Sequence, residues 1–261
     1  MSVQTFVPNA IGAFIIGDEI ILGSRQDKHL TQLITILAAR GLRLDWALYL
    51  GDDRQRMTDA FDRSFASGDL VFSFGGIGVT PDDHTRQAAG RALGRELEMH
   101  PEAERLIRAR MIEAGYEITP ERLELGSFPR GSTIIPNPYN SIPGFSIHHH
   151  YFLPGFPQMA WPMAEWVLDT QFAHLFHRNK TGSAAILVWE GLEGTLLALM
   201  KSIEAEFVGL KVFSLPFLGS ETVRRHIELG VRGAPEQVAP AMDVIRREVV
   251  ALGYAFDEKA D

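Results

Sequence analysis

Three short apolar segments in the first third of the chain are each followed by a glycine, and helical patterns separate them. Residues 10–16 and 70–74 are almost wholly apolar, whereas apolar residues alternate with others over residues 42–50. Between these segments, apolar residues recur at intervals of three and four, as on the buried face of a helix. Strands that alternate with helices predict a mostly parallel sheet with helices on both faces. The sequence therefore indicates the α/β class.

The rest of the chain predicts a further, smaller domain. Residues 128–155 are crowded with proline and glycine and predict a long structured loop with short strands, one of them over residues 147–153. A helix is expected over residues 157–176. After a polar boundary near residues 178–182, the order strand, helix, strand, strand, helix resembles a ferredoxin-like unit. We therefore expect one domain over residues 1–178 and a small α+β domain over residues 179–261.

Composition excludes several classes of site. The 261 residues include no cysteine, which rules out disulfides, cysteine-bound zinc, iron–sulfur clusters and cysteine nucleophiles. No apolar run reaches the ~20 residues that a membrane helix needs, and no signal peptide is recognisable, so a cytoplasmic protein without a membrane partner is expected. The net charge of −8 disfavours a nucleic-acid partner, because counterion release requires clustered Lys and Arg.

The strongest chemical signal is a glycine-rich segment that leads from the strand over residues 70–74 into a helix. It reads Gly75-Gly76-Ile77-Gly78-Val79-Thr80-Pro81-Asp82-Asp83-His84-Thr85. Glycines let backbone N–H groups approach a phosphate closely, and the pair Asp82 and Asp83 could hold a hard cation such as Mg²⁺. The alternative is a tight turn in which an Asp side chain caps the helix.

Two further acidic turns follow predicted strands, namely Gly17-Asp18-Glu19 and Gly51-Asp52-Asp53. Ligands of open parallel sheets bind outside the carboxyl ends of the strands, so all three acidic turns are expected at one edge of the sheet. Carboxylates gathered there repel one another unless a metal or a cationic group offsets their charge. This arrangement predicts a site for a metal and a phosphorylated small molecule.

Histidines give a weaker metal signal. His148, His149 and His150 lie on the strand predicted over residues 147–153, where His148 and His150 would share one face. His174 and His177 are spaced by one helical turn. Zinc sites need further ligands at a suitable spacing, and the sequence offers none. Solvated histidines or histidines at the edge of the core are therefore expected at both places.

Together these motifs resemble the molybdopterin-binding (MoaB/Mog-type) domain, above all its versions in competence/damage-inducible CinA proteins and at the front of eukaryotic FAD synthase. The resemblance covers residues 10–160 and includes the three acidic turns, Pro136-Asn137-Pro138, Pro143-Gly144-Phe145 and Leu153-Pro154-Gly155-Phe156-Pro157. It implies a three-layer α/β domain whose pocket binds a phosphorylated pterin or an adenine dinucleotide. The segment after it resembles the small domain that follows in CinA proteins. Val79 and Ser141 depart from the family, which has proline and glycine there.

The resemblance also implies a divalent metal (Mg²⁺, Mn²⁺ or Co²⁺), K⁺ as a further ion, and assembly as a dimer or trimer. Asp52, Asp82 and Asp83 are expected to be catalytic and to hold the metal. The other expected ligand contacts are Gly17, Asp18, Glu19, Gly75, Gly76, Ile77, Gly78, Thr80, Thr85 and Gly155. Among these, Thr85 would donate to a phosphate or fix Asp83, and Gly155 would line the opposite wall.

Three functions are compatible with these residues. The leading prediction is metal-dependent hydrolysis of the pyrophosphate bond in an ADP-ribose-like or FAD-like nucleotide. The first alternative is a pterin-binding protein of molybdenum-cofactor metabolism, with molybdopterin as ligand and with or without adenylyl transfer. The second alternative is a non-catalytic module. The same glycines and carboxylates would serve the first two functions, so the sequence hardly separates them.

Overall fold

The computed structural model describes residues 6–178 and 182–259. The chain forms two compact units that divide between His177 and Arg178. Residues 179–181, which make up most of the predicted boundary segment, lie outside the described residues. Among the residues that are described, no helix is long and apolar enough to cross a bilayer.

A six-stranded sheet forms the centre of the first unit. The strands of this unit are β1 (Ile11–Ile16), β2 (Trp46–Leu50), β3 (Leu70–Phe74), β4 (Leu97–Met99), β5 (Ser127–Pro129), β6 (Thr133–Ile135), β7 (Gly144–Ile147) and β8 (His150–Leu153). The sheet has the order β2-β1-β3-β8-β7-β6, while β4 and β5 pair with each other. The first four strands in that order are parallel, and β7 is antiparallel to both of its neighbours. The predicted mostly parallel sheet is confirmed.

Helices cover both faces of this sheet. They are α1 (Asp18–Ile21), α2 (His29–Ala38), α3 (Arg54–Phe65), α4 (Thr85–Ala92), α5 (Pro101–Glu113), α6 (Pro120–Leu123) and α7 (Pro157–Gln171). On β1, Ala13 and Ile15 belong to the apolar cluster that includes α2 and α7, whereas Phe14 and Ile16 belong to the cluster that includes α3, α4 and α5. Successive side chains of a strand point to opposite faces, so a strand covered on both faces is apolar throughout. The three-layer α/β architecture is confirmed.

The second unit is a four-stranded antiparallel sheet with two helices. Its elements are β9 (Gly182–Trp189), α8 (Glu193–Glu206), β10 (Lys211–Phe217), β11 (His226–Gly233), α9 (Pro235–Ala251) and β12 (Phe256–Glu258). The order β10-β11-β9-β12, with every neighbouring pair antiparallel, is that of a split β-α-β unit. Sheet and helices share one apolar cluster. The predicted ferredoxin-like α+β unit is confirmed, and β12 is an additional strand.

Three local predictions are wrong. The strand expected over residues 147–153 is two strands, because His148 and His149 form a turn in which both have positive φ, 49° and 60°. Strand β2 begins only at Trp46. The helix that begins at Pro157 ends at Gln171, and a short 3₁₀ helix follows it. The sequence does not predict this hairpin turn, because the turn contains no Gly, Asn or Asp, the residues typical of such turns.

Candidate functional site

The carboxyl ends of the four parallel strands meet at one edge of the sheet. In the register of these strands, Ile16 pairs with Leu50 and Phe74 pairs with Leu153, so the turns that follow lie side by side. They contribute to the wall of a cavity of about 420 Å³. The expected ligand residues that line it are Gly17, Glu19, Asp52, Gly75, Gly76, Ile77, Gly78, Thr80, Asp82, Asp83 and Gly155. The structure thus brings all three acidic turns to one cavity.

The glycine loop, residues 75–83, turns carbonyl groups into the protein. The carbonyl oxygens of Gly75 and Gly76 accept hydrogen bonds of 3.0 Å from the hydroxyl and the amide of Thr85. Gly76 has a φ of 68°, a left-handed conformation that glycine adopts without strain. The amides of residues 76–78 donate to no acceptor in the described part of the chain. Amides in such an arrangement are available to an anion.

Thr85 supports this loop from inside the protein. Its side chain is fully buried, and its hydroxyl donates to the carbonyl of Gly75. Thr85 does not line the cavity, so the prediction that it contacts a phosphate or fixes Asp83 is wrong. The reason is the direction of the first turn of α4, which places this side chain beneath the loop and against Met57 of α3.

Arg86 anchors the loop as well, and the sequence did not reveal it. Its guanidinium is buried and donates to the carbonyl oxygens of Gly78, Glu124 and Ser127. Burial lowers the pKa of Arg86, and the charges of Asp83 and Glu124 act in the opposite direction. A fixed positive charge therefore lies behind the glycine loop.

Asp18 and Asp52 clasp the first two acidic turns together. The amide of Asp18 donates to Asp52 Oδ2 at 2.8 Å, and the amide of Asp52 donates to Asp18 Oδ1 at 3.1 Å. Asp18 does not line the cavity and instead holds Asp52 in place. Burial raises the pKa of Asp52, and the charges of Asp18, Glu19 and Asp82 raise it further, against the hydrogen bond from the Asp18 amide. A nearby cation would relieve this repulsion.

The third acidic turn presents two carboxylates of different exposure. Asp83 is half-buried and accepts hydrogen bonds from both the amide, at 2.9 Å, and the hydroxyl of Thr80. Its carboxylate lies so close to Gly78 that a side chain there would collide with it. Asp82 is exposed to solvent and also lines the cavity. The loop thus needs glycine at position 78 to keep Asp83 beside the unpaired amides.

Asp53, next to Asp52, has a structural role. Its side chain accepts a hydrogen bond of 2.8 Å from the amide of Arg56 and caps the N-terminus of α3. It does not line the cavity. Of the two neighbouring acids in this turn, Asp52 therefore lines the cavity and Asp53 caps a helix.

The sequence did not predict several of the residues that line the cavity. Arg25 is the one cationic residue among those that line the cavity in the described chain; it pairs with Glu19 at 3.9 Å and lies 5.8 Å from the ring of Phe156. Asn137 and Asn140 also line it, and each bonds the backbone of Ile142 at 3.0 Å. The clustered proline and asparagine of residues 136–143 were the available signal, whereas nothing local marked Arg25.

The histidine triplet lies at the opposite end of the sheet. His148 and His149 form the turn before β8, so the prediction that His148 and His150 share one strand face is wrong. His150 is buried with its Nε2 2.7 Å from Ser64 Oγ and its Nδ1 2.9 Å from the carbonyl oxygen of His148. Burial lowers the pKa of His150 to about 4. His150 is thus a structural histidine, whereas His148 and His149 are exposed.

The second histidine pair does not lie on one helix. His174 belongs to the 3₁₀ helix Ala173–Leu175, and its Nε2 donates to the carbonyl of Phe6 at 3.0 Å. His177 follows with a φ of 52°. The helical spacing expected for the pair is therefore absent.

The described residues contain no preassembled group of three or more His, Asp or Glu side chains that could hold a metal. Asp52 and Asp83 line one cavity, but each carboxylate accepts a hydrogen bond from a backbone amide. Mg²⁺ usually keeps several waters and binds one or two carboxylates together with substrate phosphates. These side chains therefore fit a metal that is shared with a phosphorylated ligand.

A family model described as a probable molybdopterin binding domain matches residues 12–174. The match covers more than half of the chain and every strand at the cavity edge. The chain belongs to this family. Ser141, for which the resemblance implies glycine, has a φ of 63°, the left-handed conformation that glycine favours.

Several proteins described as CinA-like are similar to this chain. One from Geotalea uraniireducens is 28% identical over 96% of this chain, and the match spans 61% of that relative. Another from Geobacter metallireducens is 30% identical over 76% of this chain, and the match spans 49% of the relative. The crystal structure of CinA, a protein of unknown function from Thermoplasma acidophilum, has a TM-score of 0.56 at 24% identity and covers 62% of this chain and 97% of its own. This likeness supports the fold.

Proposed function

We propose that this CinA-like chain hydrolyses the pyrophosphate bond of a nucleotide such as ADP-ribose or FAD. The observation that carries the proposal is that Asp52, Asp82 and Asp83 line the same cavity as residues 76–78, whose amides have no acceptor in the described chain. Unpaired amides favour an anion, and carboxylates beside an anion are unfavourable unless a cation lies between them. The combination favours a phosphate bound together with a divalent metal.

The backbone of the glycine loop would bind one phosphate. Its amides are fixed before the ligand arrives, because Thr85 and Arg86 hold the carbonyl groups of the same loop. Arg25, which also lines the cavity, would pair with the second phosphate. Donors that are already oriented stabilise the charge that develops on phosphate oxygens during the reaction.

Asp52, Asp82 and Asp83 would hold the metal, which offsets phosphate charge and lowers the pKa of a bound water. In the reaction, a water oxygen forms a bond to one phosphorus and the bond from that phosphorus to the bridging oxygen breaks. The bridging oxygen leaves with the second phosphate and the electron pair of the broken bond. ADP-ribose would yield AMP and ribose 5-phosphate, and FAD would yield AMP and FMN.

The test is an assay of the purified chain with ADP-ribose and with FAD. Each is incubated with Mg²⁺, Mn²⁺ or Co²⁺, with and without K⁺, and AMP is measured by chromatography. We expect AMP release that requires the divalent metal and stops when EDTA is added. Both nucleotides remaining intact with all three metals would refute the proposal.

Pterin binding is the second candidate, since the description of the family model names molybdopterin. The same amides and carboxylates would hold the pterin phosphate. A ligand present at a hundredfold excess over its dissociation constant adds about 2.7 kcal/mol to the free energy of unfolding, which a thermal-shift assay detects. Stabilisation by molybdopterin, without turnover of either nucleotide, would favour this candidate.

A further inference from the structure

A second cavity, of about 630 Å³, adjoins the first. Four residues line both cavities, namely Ile16, Glu19, Arg25 and Gly155. His29 at the start of α2, Phe74 at the end of β3 and Trp161 in α7 line only the second. A ligand whose phosphates lie at the glycine loop can therefore extend past Arg25 into a cavity with aromatic walls.

His29 contributes an unpaired hydrogen-bond acceptor to this region. Its Nε2 lies 3.2 Å from the carbonyl oxygen of Gly155, and because a carbonyl only accepts, Nε2 carries the proton. Burial lowers the pKa of His29, so the ring is neutral and Nδ1 retains its lone pair. The residue is 6% exposed, and Nδ1 has no partner among the described residues.

Trp161 contributes an unpaired donor beside it. The indole N–H is buried and likewise has no partner in the described chain. The Trp161 and His29 rings meet edge to face with centroids 6.5 Å apart, and His29 stacks on Phe74 at 4.7 Å. Buried polar atoms are rarely left unpaired, because each loses its hydrogen bonds to water without replacement. A ligand that supplies both an acceptor and a donor would satisfy the two atoms together.

We propose that the second cavity binds the base of the nucleotide through an edge on which an N–H donor adjoins a ring-nitrogen acceptor, as in adenine. The 6-amino group would donate to His29 Nδ1, and N1 would accept from the Trp161 indole. Both atoms are covered while the two rings are in edge-to-face contact, so the Trp161 and His29 rings would have to move apart to admit the base. The link between base and pyrophosphate rests on the proposed function, whereas binding of the base itself requires no hydrolysis.

The experiment is a titration of the full chain, without metal, with adenosine and with purine riboside, which lacks the 6-amino group. Binding is followed by tryptophan fluorescence and by equilibrium dialysis. We expect adenosine to change the fluorescence and purine riboside to bind about tenfold more weakly, as the loss of one buried hydrogen bond predicts. Trp161→Phe should lose the fluorescence change and bind adenosine about tenfold more weakly.

The matched control is Trp166→Phe, because Trp166 belongs to the same helix, is 37% exposed and lines neither cavity. It should behave as the unaltered chain does. The inference is overturned if adenosine does not bind, if it binds no better than purine riboside, or if Trp161→Phe binds it unchanged. The comparison of the two nucleosides needs no variant, so misfolding of Trp161→Phe cannot obscure it. If the chain hydrolyses ADP-ribose but does not distinguish adenosine from purine riboside, the proposed function stands and the inference about the base does not.

Discussion

The two ends of the first unit's sheet differ in whether their polar groups are paired within the fold. At the carboxyl ends of the strands, a cavity is lined by Asp82 and by residues 76–78, whose amides have no acceptor in the described chain. At the amino ends, His150 pairs with Ser64 at 2.7 Å, and the indole of Trp46 donates to Asp69 at 2.9 Å. Polar groups that satisfy one another stabilise the fold, whereas those left unpaired at a cavity are available to a ligand. One end of the sheet satisfies its polar groups within the fold, and the other leaves them available to a ligand.

Substitution of Arg86 should have the largest effect on stability, because this buried side chain connects the glycine loop to the carbonyls of Glu124 and Ser127. Arg86→Met leaves the carbonyls of Gly78, Glu124 and Ser127 without their donor, and we expect the free energy of unfolding to fall by about 3 kcal/mol. Arg91→Met, on an exposed position of the same helix, is the control and should cost little. Urea denaturation measures both. Equal stability of the two variants would contradict the anchoring role.

Asp83→Asn tests the binding end directly. It keeps a side-chain oxygen for Thr80 but removes the charge, and kcat/KM for ADP-ribose should fall about a hundredfold. The matched control is Asp53→Asn, since asparagine caps a helix as well as aspartate does and Asp53 lies outside the cavity. Steady-state kinetics at saturating Mg²⁺ measures both variants. Full activity of Asp83→Asn would exclude its assigned role.

His150 tests the stabilising end through pH. Its pKa in the folded chain is about 4, below the ordinary value of 6.5, because burial disfavours the charged ring. The unfolded chain therefore binds a proton that the folded chain does not, and stability falls as the pH drops from 6.5 to 4, by about 2 kcal/mol from this residue. Chemical denaturation across this range should show a shallower loss for His150→Gln. At pH 7, His150→Gln and the unaltered chain should bind ADP-ribose with the same affinity. A weaker affinity of the variant would contradict the purely stabilising role of His150.

Asp52→Asn should have the smallest effect on stability. Asparagine can still accept the hydrogen bond from the Asp18 amide, and it removes a charge whose pKa is raised by burial and by neighbouring carboxylates. We expect the free energy of unfolding at pH 7 to stay the same or to rise by less than about 1 kcal/mol. Thermal melts without metal test this expectation. A clear loss of stability would mean that the charge of Asp52 stabilises the fold.

Local signals predicted much of the binding end. Glycine and aspartate directly after an apolar run mark a turn at a strand end, and parallel register then pairs Ile16 with Leu50 and Ile15 with Phe74. Arg86 could not be predicted in this way, because its carbonyl partners at Glu124 and Ser127 lie 38 and 41 residues further along the chain. A contact between residues that are far apart in the chain produces no local pattern in the sequence from which it could be predicted. The positions of Arg25 and His29 beside Gly155 were hidden for the same reason.

The insertion of β8 beside β3 has a consequence for how the chain folds. Residues 75–149 separate these two neighbouring strands, and Gly155, directly after β8, belongs to the cavity wall. Pairing between distant segments forms slowly, because a long loop must close before its contacts are gained. A nascent chain that has reached α5 already carries the glycine loop but not the wall opposite it. Ligand binding during synthesis or refolding would therefore be acquired late, and its appearance over time would report when β8 docks.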